Sequence, residues 1–147
     1  MKSLDKSLRS VIAERRLHPR GAPRRKVVVS LGKPRKTRGH DDWECPFRIT
    51  GAGLRLAEYG RGVDAFQALT MALEGIRYFL DRSGVPLAWS GVFEDQTGFQ
   101  RLIPLLPEAA DSKRIERLVD GEVRRWAERM KRRHLARARA RKRRPKP

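Results

Sequence analysis

"GRGVDAFQALTMALEGIRYFLDRSGVP", residues 60–86, decides the fold class of this chain. Asp64 is a favoured N-cap residue, and Gln67 follows at the third helical position, the spacing of a capping box. Phe66, Leu69, Leu73, Ile76 and Leu80 step by three or four residues and lay one apolar stripe along a helix. Ala65, Ala68, Ala72 and Gly75 are small neighbours that let such a helix lie close on a sheet. Gly84 is placed to end the helix in a left-handed conformation, and Pro86 prevents its continuation. The spacing predicts a helix over 64–82 that needs a sheet to cover its stripe.

The sheet is read on both sides of it. "WECPFRIT", residues 43–50, alternates Trp43, Cys45, Phe47 and Ile49 with Glu44, Pro46, Arg48 and Thr50, the period of a strand with one buried face. Pro46 has no N–H for a ladder, so it suggests an edge position or a bulge. "KVVVSLG", 26–32, is β-branched and reads as another strand. "GAG", 51–53, is a turn, and "LRLAEY", 54–59, is its hairpin partner. Upstream, a short helix over 3–9 and a strand over 10–17 are expected. "PLAWSGVF", 86–93, and "FQRLIP", 99–104, read as two further strands. Trp43 and Trp89 are then core aromatics on facing strands.

A final helix is expected from Ser112 to about Arg137. Ile115, Leu118, Val119, Val123, Trp126 and Met130 form a narrow stripe that should dock, and the helix then runs out into an Arg-rich end. The fold class is therefore α+β: an antiparallel sheet, one central amphipathic helix on one face, and a long C-terminal basic helix. The expected organisation is an N-terminal basic segment over 1–24, a core domain over 25–107, and the helix and tail over 108–147.

Charge is uneven. Residues 1–40 carry 13 Lys/Arg and 2 Asp/Glu, residues 41–111 carry 6 and 11, and residues 112–147 carry 16 and 4. The whole chain is +18. The excess positive charge is thus expected on two arms flanking a mildly acidic domain. From Arg129 to Pro147 there are 11 Lys/Arg and no acid. Arginine forks match phosphate oxygens, and each neutralised phosphate releases a counterion, so this run points to a polyanion.

Arg132, Arg133, Arg137, Arg139, Arg141, Lys142, Arg143 and Arg144 are the candidate nucleic-acid contacts. A second basic block flanks the 26–32 strand, with Arg24, Arg25 and Lys26 before it and Lys33, Arg35, Lys36 and Arg38 after it. Both blocks lack interleaved Asn or Gln, so readout of bases is not indicated.

Catalytic chemistry is not indicated. His18, His40 and His134 fall in three separate elements, without the pairing a zinc site needs. "HDDWE" gathers His40, Asp41, Asp42 and Glu44, which reads as a solvated loop. Cys45 is the single cysteine and sits on the predicted core face, where it packs. Neither "GRGVD" nor "GAG" has the context of a phosphate loop; both read as turns. No metal, cofactor or small-molecule substrate is expected. The charged N-terminus is not a secretory signal, and no apolar run is long enough for a membrane helix, so a cytoplasmic protein is expected.

"DDWECPFRITG", "GVDAFQALTMALEGIRYFL" and "GFQRLIP" together resemble a family of small bacterial domains of unknown function. That family has a W-x-C-x-F-x-I-x-G strand, a G-V-D-A-x-Q-A-L helix and a G-F-x-R-x-I-P ending. The likeness covers about residues 10–104 and implies one folded unit of bacterial origin. A weaker topological likeness is to antitoxin domains of the HicB type. The leading expectation is a non-enzymatic domain that binds DNA or RNA nonspecifically through basic arms. The alternative is an antitoxin- or immunity-like module whose acidic core binds a protein partner and whose tail serves solubility or localisation.

Overall fold

The computed structural model describes Leu8, residues 10–103 and residues 106–142, and it divides the chain into two compact units that meet between Arg101 and Leu102. The first unit contains strands β1 (Val11–Pro19), β2 (Val27–Gly32), β3 (Arg35–Lys36), β4 (Trp43–Gly51) and β5 (Leu54–Gly62), helix α1 (Ala65–Arg82) and strand β6 (Leu87–Trp89). The second contains helix α2 (Ala109–Lys142). All six strands form one antiparallel sheet. Its path runs β3-β4-β2-β1-β6, with β5 on the other side of β4. The α+β class is as the sequence implies.

The clean alternation of 43–50 becomes the interior strand β4. Cys45, Phe47 and Ile49 are buried on one face, joined by Val27, Val29 and Leu31 of β2 and Leu17 of β1. Burial of each such side chain contributes roughly 1.5–3 kcal/mol. Pro46 is not on an edge. It sits where β2 hands over to β3: Leu31 pairs with Phe47 and Arg35 with Glu44, so four residue steps face three. The extra residue is a bulge, and Pro46 occupies the gap in the ladder, where its missing N–H costs no bond. Gly32 stands against it; a Cβ there would come within 2.6 Å of Pro46 Cγ.

α1 keeps the expected cap. Asp64 Oδ1 accepts from the Gln67 backbone N–H at 2.7 Å, and Gln67 Oε1 accepts from the Val63 N–H at 2.8 Å. Ser83 ends the helix, and Gly84 follows with φ +69°. The buried face is displaced from the expected stripe. Ala68, Ala72, Ile76 and Leu80 are buried, Leu69 and Leu73 flank the core, and Phe66 is 83% exposed. The cause lies in β5, which runs on through Gly60 and Gly62, so these glycines are strand and not turn. A Cβ on Gly60 would lie 2.1 Å from Ala72 N and 2.4 Å from Ala68 O; one on Gly62 would lie 2.5 Å from Ala68 N. Backbone meets backbone at this seam. The alanine row faces the sheet, and Phe66, far round the helix from Ala68, turns outward.

Other expectations change as well. β1 pairs with β2 from Val11 to Leu17, so residues 11–19 belong to the sheet and not to a separate N-terminal segment. The helix expected over 3–9 lies outside the described residues, apart from Leu8, which is buried in a turn. The strand over 86–93 is only three residues long. Its chain turns after Trp89 at Ser90 and Gly91, and Trp89 N–H donates to Gln96 O at 2.9 Å. Residues 99–103 form no strand. Phe99 instead covers the Arg15 guanidinium, which lies between the Phe99 and Trp89 rings at 4.3 and 3.8 Å. Trp43 and Trp89 both pack on the core, but on β4 and β6, which are not neighbours.

α2 is longer than expected, at 34 residues and roughly 50 Å. Alanine and arginine are both strong helix formers, and cations near a helix C-terminus are favoured by its dipole. The helix therefore persists through the Ala–Arg alternation. Along its stripe Leu118 is 62% and Trp126 is 56% exposed.

Gly60→Ala should destabilise the fold by at least about 1–3 kcal/mol, because neither contacting backbone segment has room to move. A fall of several degrees or more in the thermal midpoint, followed by circular dichroism, is the expected result. Phe66→Ala should change stability by less than about 0.5 kcal/mol in the same measurement.

Candidate nucleic-acid interface

The basic residues from Arg15 to Arg38 do not form an arm. They are the strands and turns of the sheet, and from Ser10 to Arg101 the first unit carries 16 Lys/Arg against 10 Asp/Glu, net +6. This corrects the expectation of an acidic folded centre. Arg24, Arg25 and Lys26 are exposed in the turn before β2, where the Arg25 N–H donates to Ala22 O. Lys33, Arg35, Lys36 and Arg38 are exposed beyond its other end. The two clusters are separated by the six residues of β2, roughly 20 Å. Arg35 and Lys36 point to opposite faces, since Arg35 pairs with Glu44 and Lys36 with Trp43. Arg35 bridges to Glu44 at 2.7 Å.

Between these clusters lies the sheet face opposite α1. Directly paired residues of an antiparallel sheet share a face, so the register maps it row by row. Arg16, Val28, Thr50 and Arg55 form one row across β1, β2, β4 and β5. Glu14, Ser30, Arg48 and Ala57 form the next, with Ser30 Oγ donating to Glu14 Oε1 at 3.0 Å. Pro46 and Tyr59 follow, then Arg35, Glu44 and Arg61. Five arginines and two glutamates thus share the face. Arg16, Arg55 and Arg61 are exposed and make no ion pair among the described residues.

The sequence reading singled out none of Arg16, Arg48, Arg55 and Arg61. The signal was the outward parity of the strands. Once Phe47 and Ile49 face inward, Arg48 must face outward, and Arg55 lies across from Thr50.

On α2, residues 109–128 carry five acids and five bases, while 129–142 carry eight bases and no acid. Arg125 hydrogen-bonds Glu122, which holds that carboxyl below the usual carboxylate range. Arg129 lowers that carboxyl's pKa further, and beyond Arg129 the sequence holds no acid. Lys131, Arg132, Arg133, Arg137 and Arg139 are exposed and make no ion pair among the described residues. The helix backbone continues through Arg141 and Lys142; Arg143 and Arg144 lie outside the described residues.

The remaining candidates are dispersed. His40, Asp41 and Asp42 are exposed in the turn before β4, and Glu44 is engaged with Arg35. Among the described residues, no group of three His, Cys, Asp or Glu could hold a metal ion. His18 Nδ1 lies 3.0 Å from Ser90 Oγ. No helix among the described residues is long and apolar enough to cross a membrane. Cys45 is buried, its thiol donates to Gly32 O at 3.4 Å, and burial pushes its pKa up to about 11. Burial also lowers the pKa of Arg15.

The family described as "Domain of unknown function (DUF6968)" matches residues 13–101, and the chain belongs to it. The matched span corresponds to the first compact unit from β1 onward. No curated protein and no solved structure matches the chain.

Cys45 in the native protein should resist alkylation by iodoacetamide at pH 8 and react at the ordinary thiol rate once guanidinium unfolds the chain. Comparable rates before and after unfolding, measured by mass spectrometry, would contradict its placement.

Proposed function

We propose that this member of the family is a non-enzymatic, cytoplasmic bacterial protein that binds nucleic acid nonspecifically through its basic side chains. The observation that carries the reading is the second half of α2. From Arg129 to Lys142 the helix carries eight bases and no acid, and the cations from Lys131 to Arg139 are exposed without an ion pair among the described residues. Such a density of like charge costs repulsion that a polyanion relieves. Each phosphate neutralised would release about one condensed counterion. The first unit, at net +6 from Ser10 to Arg101, adds to the same attraction. This favours a polyanion over a cationic protein partner.

The mechanism is phosphate neutralisation, with Arg132, Arg133, Arg137, Arg139, Arg141, Lys142, Arg143 and Arg144 as the main contacts. It gives affinity without base readout.

A chain ending at Glu128 tests this. Against a labelled duplex of mixed sequence, the logarithm of affinity should fall steeply with the logarithm of salt for the full chain. If about six phosphates are neutralised beyond Glu128, the slope should flatten by about 5 on truncation. Equal slopes for the two chains, measured by anisotropy between 50 and 200 mM salt on the scale used for such comparisons, would remove the reading.

A further inference from the structure

We propose that the sheet face opposite α1 is a binding surface for single-stranded nucleic acid, distinct from the contacts of α2 and resting on the nucleic-acid reading above. Its core is the strip formed by β4 and β5. Along that strip the rows present Arg55, then Arg48, then Tyr59, then Arg61, with Glu44 between Arg61 and Arg35 and bridged to Arg35. Successive rows stand two residues apart, roughly 7 Å. Cations therefore recur along the length of a nine-residue strand, with one aromatic ring between them. Arg55 and Arg61, at the two ends, are exposed and make no ion pair among the described residues. Tyr59 is half-buried, lies across from Pro46, and has the Arg35 guanidinium 6.0 Å from its ring centroid.

The chemistry of this arrangement separates the candidate polyanions. A duplex hides its base faces in the stack, so the Tyr59 ring would find only sugar and phosphate. A single strand offers both elements at once: phosphates for the arginines and an unstacked base for the ring. Base–aromatic stacking is tolerant of sequence because every base has a π-face. An acidic peptide would satisfy the arginines and leave Tyr59 without a role. The combination of spaced cations and an aromatic on a sheet favours the single strand.

The test uses the full chain and labelled oligothymidylate of twenty nucleotides, with a duplex of equal length for comparison. Arg55→Gln with Arg61→Gln should weaken single-strand binding roughly tenfold and flatten its salt slope by about 1.4, two phosphates at about 0.7 each. Arg82→Gln, a charge removed from the helix side, should leave both unchanged. Tyr59→Ala should weaken single-strand binding roughly tenfold with the slope intact, because stacking releases no counterions, and Tyr59→Phe should restore it. The duplex should feel the Tyr59 changes little. Thermal midpoints close to that of the unaltered chain establish that the variants are folded; Tyr59→Phe retains the packing if Tyr59→Ala does not.

If the Arg55/Arg61 variant binds oligothymidylate like the unaltered chain, the sheet face is overturned while the reading of α2 stands. Equal losses for duplex and single strand on Tyr59→Ala overturn the single-strand assignment. So does polyglutamate that displaces oligothymidylate as well as unlabelled oligothymidylate of equal charge. A full chain that binds neither oligonucleotide at low salt overturns the α2 reading and this one together.

Discussion

The contact of Gly60 and Gly62 with the Ala68–Ala72 stretch of α1 is the constraint on which the first unit depends. Two backbones approach until no Cβ fits between them on the strand side. The helix can reach that distance only with its small residues innermost, so the alanine row, and not the large aliphatic row, sets its rotation. Ile76 and Leu80 then fall over β2 and β4, where Val29, Phe47 and Ile49 complete the core. One face of the sheet is consumed by this packing. The other face must carry whatever the outward parity of the strands supplies, and here the supply is five arginines against two glutamates.

That outcome changes the meaning of the net charge. In the linear sequence the positive residues gather at the two ends, which suggests appendages on an acidic body. In three dimensions the block from Val11 to Lys36 is woven into the sheet as β1, β2, β3 and their turns. Arg16 reaches the same face as Arg55, a residue 39 positions later, through the pairings of Val28 and Thr50. A count along the chain cannot see this, because β4 and β5 put Arg48, Arg55 and Arg61 on one face with Glu44 and leave Glu58 on the other. The second unit behaves differently. Its charge is segregated along one helix, balanced before Arg129 and purely positive after it, and there the linear count is a fair guide.

What the sequence disclosed follows the same division. Strong local signals held: the period-two run from Trp43 to Thr50, the β-branched run ending at Gly32, and the Asp64–Gln67 cap. Each depends on residues within a few positions of one another. Signals that depend on a distant partner did not hold. Phe66 fits the helical stripe by spacing, yet the glycines of β5 decide which side faces inward. Pro46 reads as an edge residue or a bulge, and only the pairing of β2 and β3 with β4 decides for the bulge. The alternation from Leu87 to Phe93 includes Gly91, where the chain turns and Trp89 bonds back to Gln96. The row of arginines was legible in principle, since it needs only strand parity and register, but register is a property of pairs of strands.

The arginines of the sheet face have a competing explanation in strand protection. β5 pairs only with β4, so it is an edge, and charges such as Arg55 and Arg61 discourage another chain from adding to it. Protection of that kind is needed only where backbone groups are unpaired. Arg16 lies on β1, between β2 and β6, and Arg48 lies on β4, between β2 and β5. β4 offers no edge to protect along the Arg48 row, whereas on β1 the pairing with β6 begins at Leu17, one residue after Arg16. Arg48 is also half-buried, where a cation costs desolvation that an exposed guard residue would avoid. Arg48, in register with Ser30 on one side and Ala57 on the other, is an arginine at an interior strand position, and edge protection does not account for it.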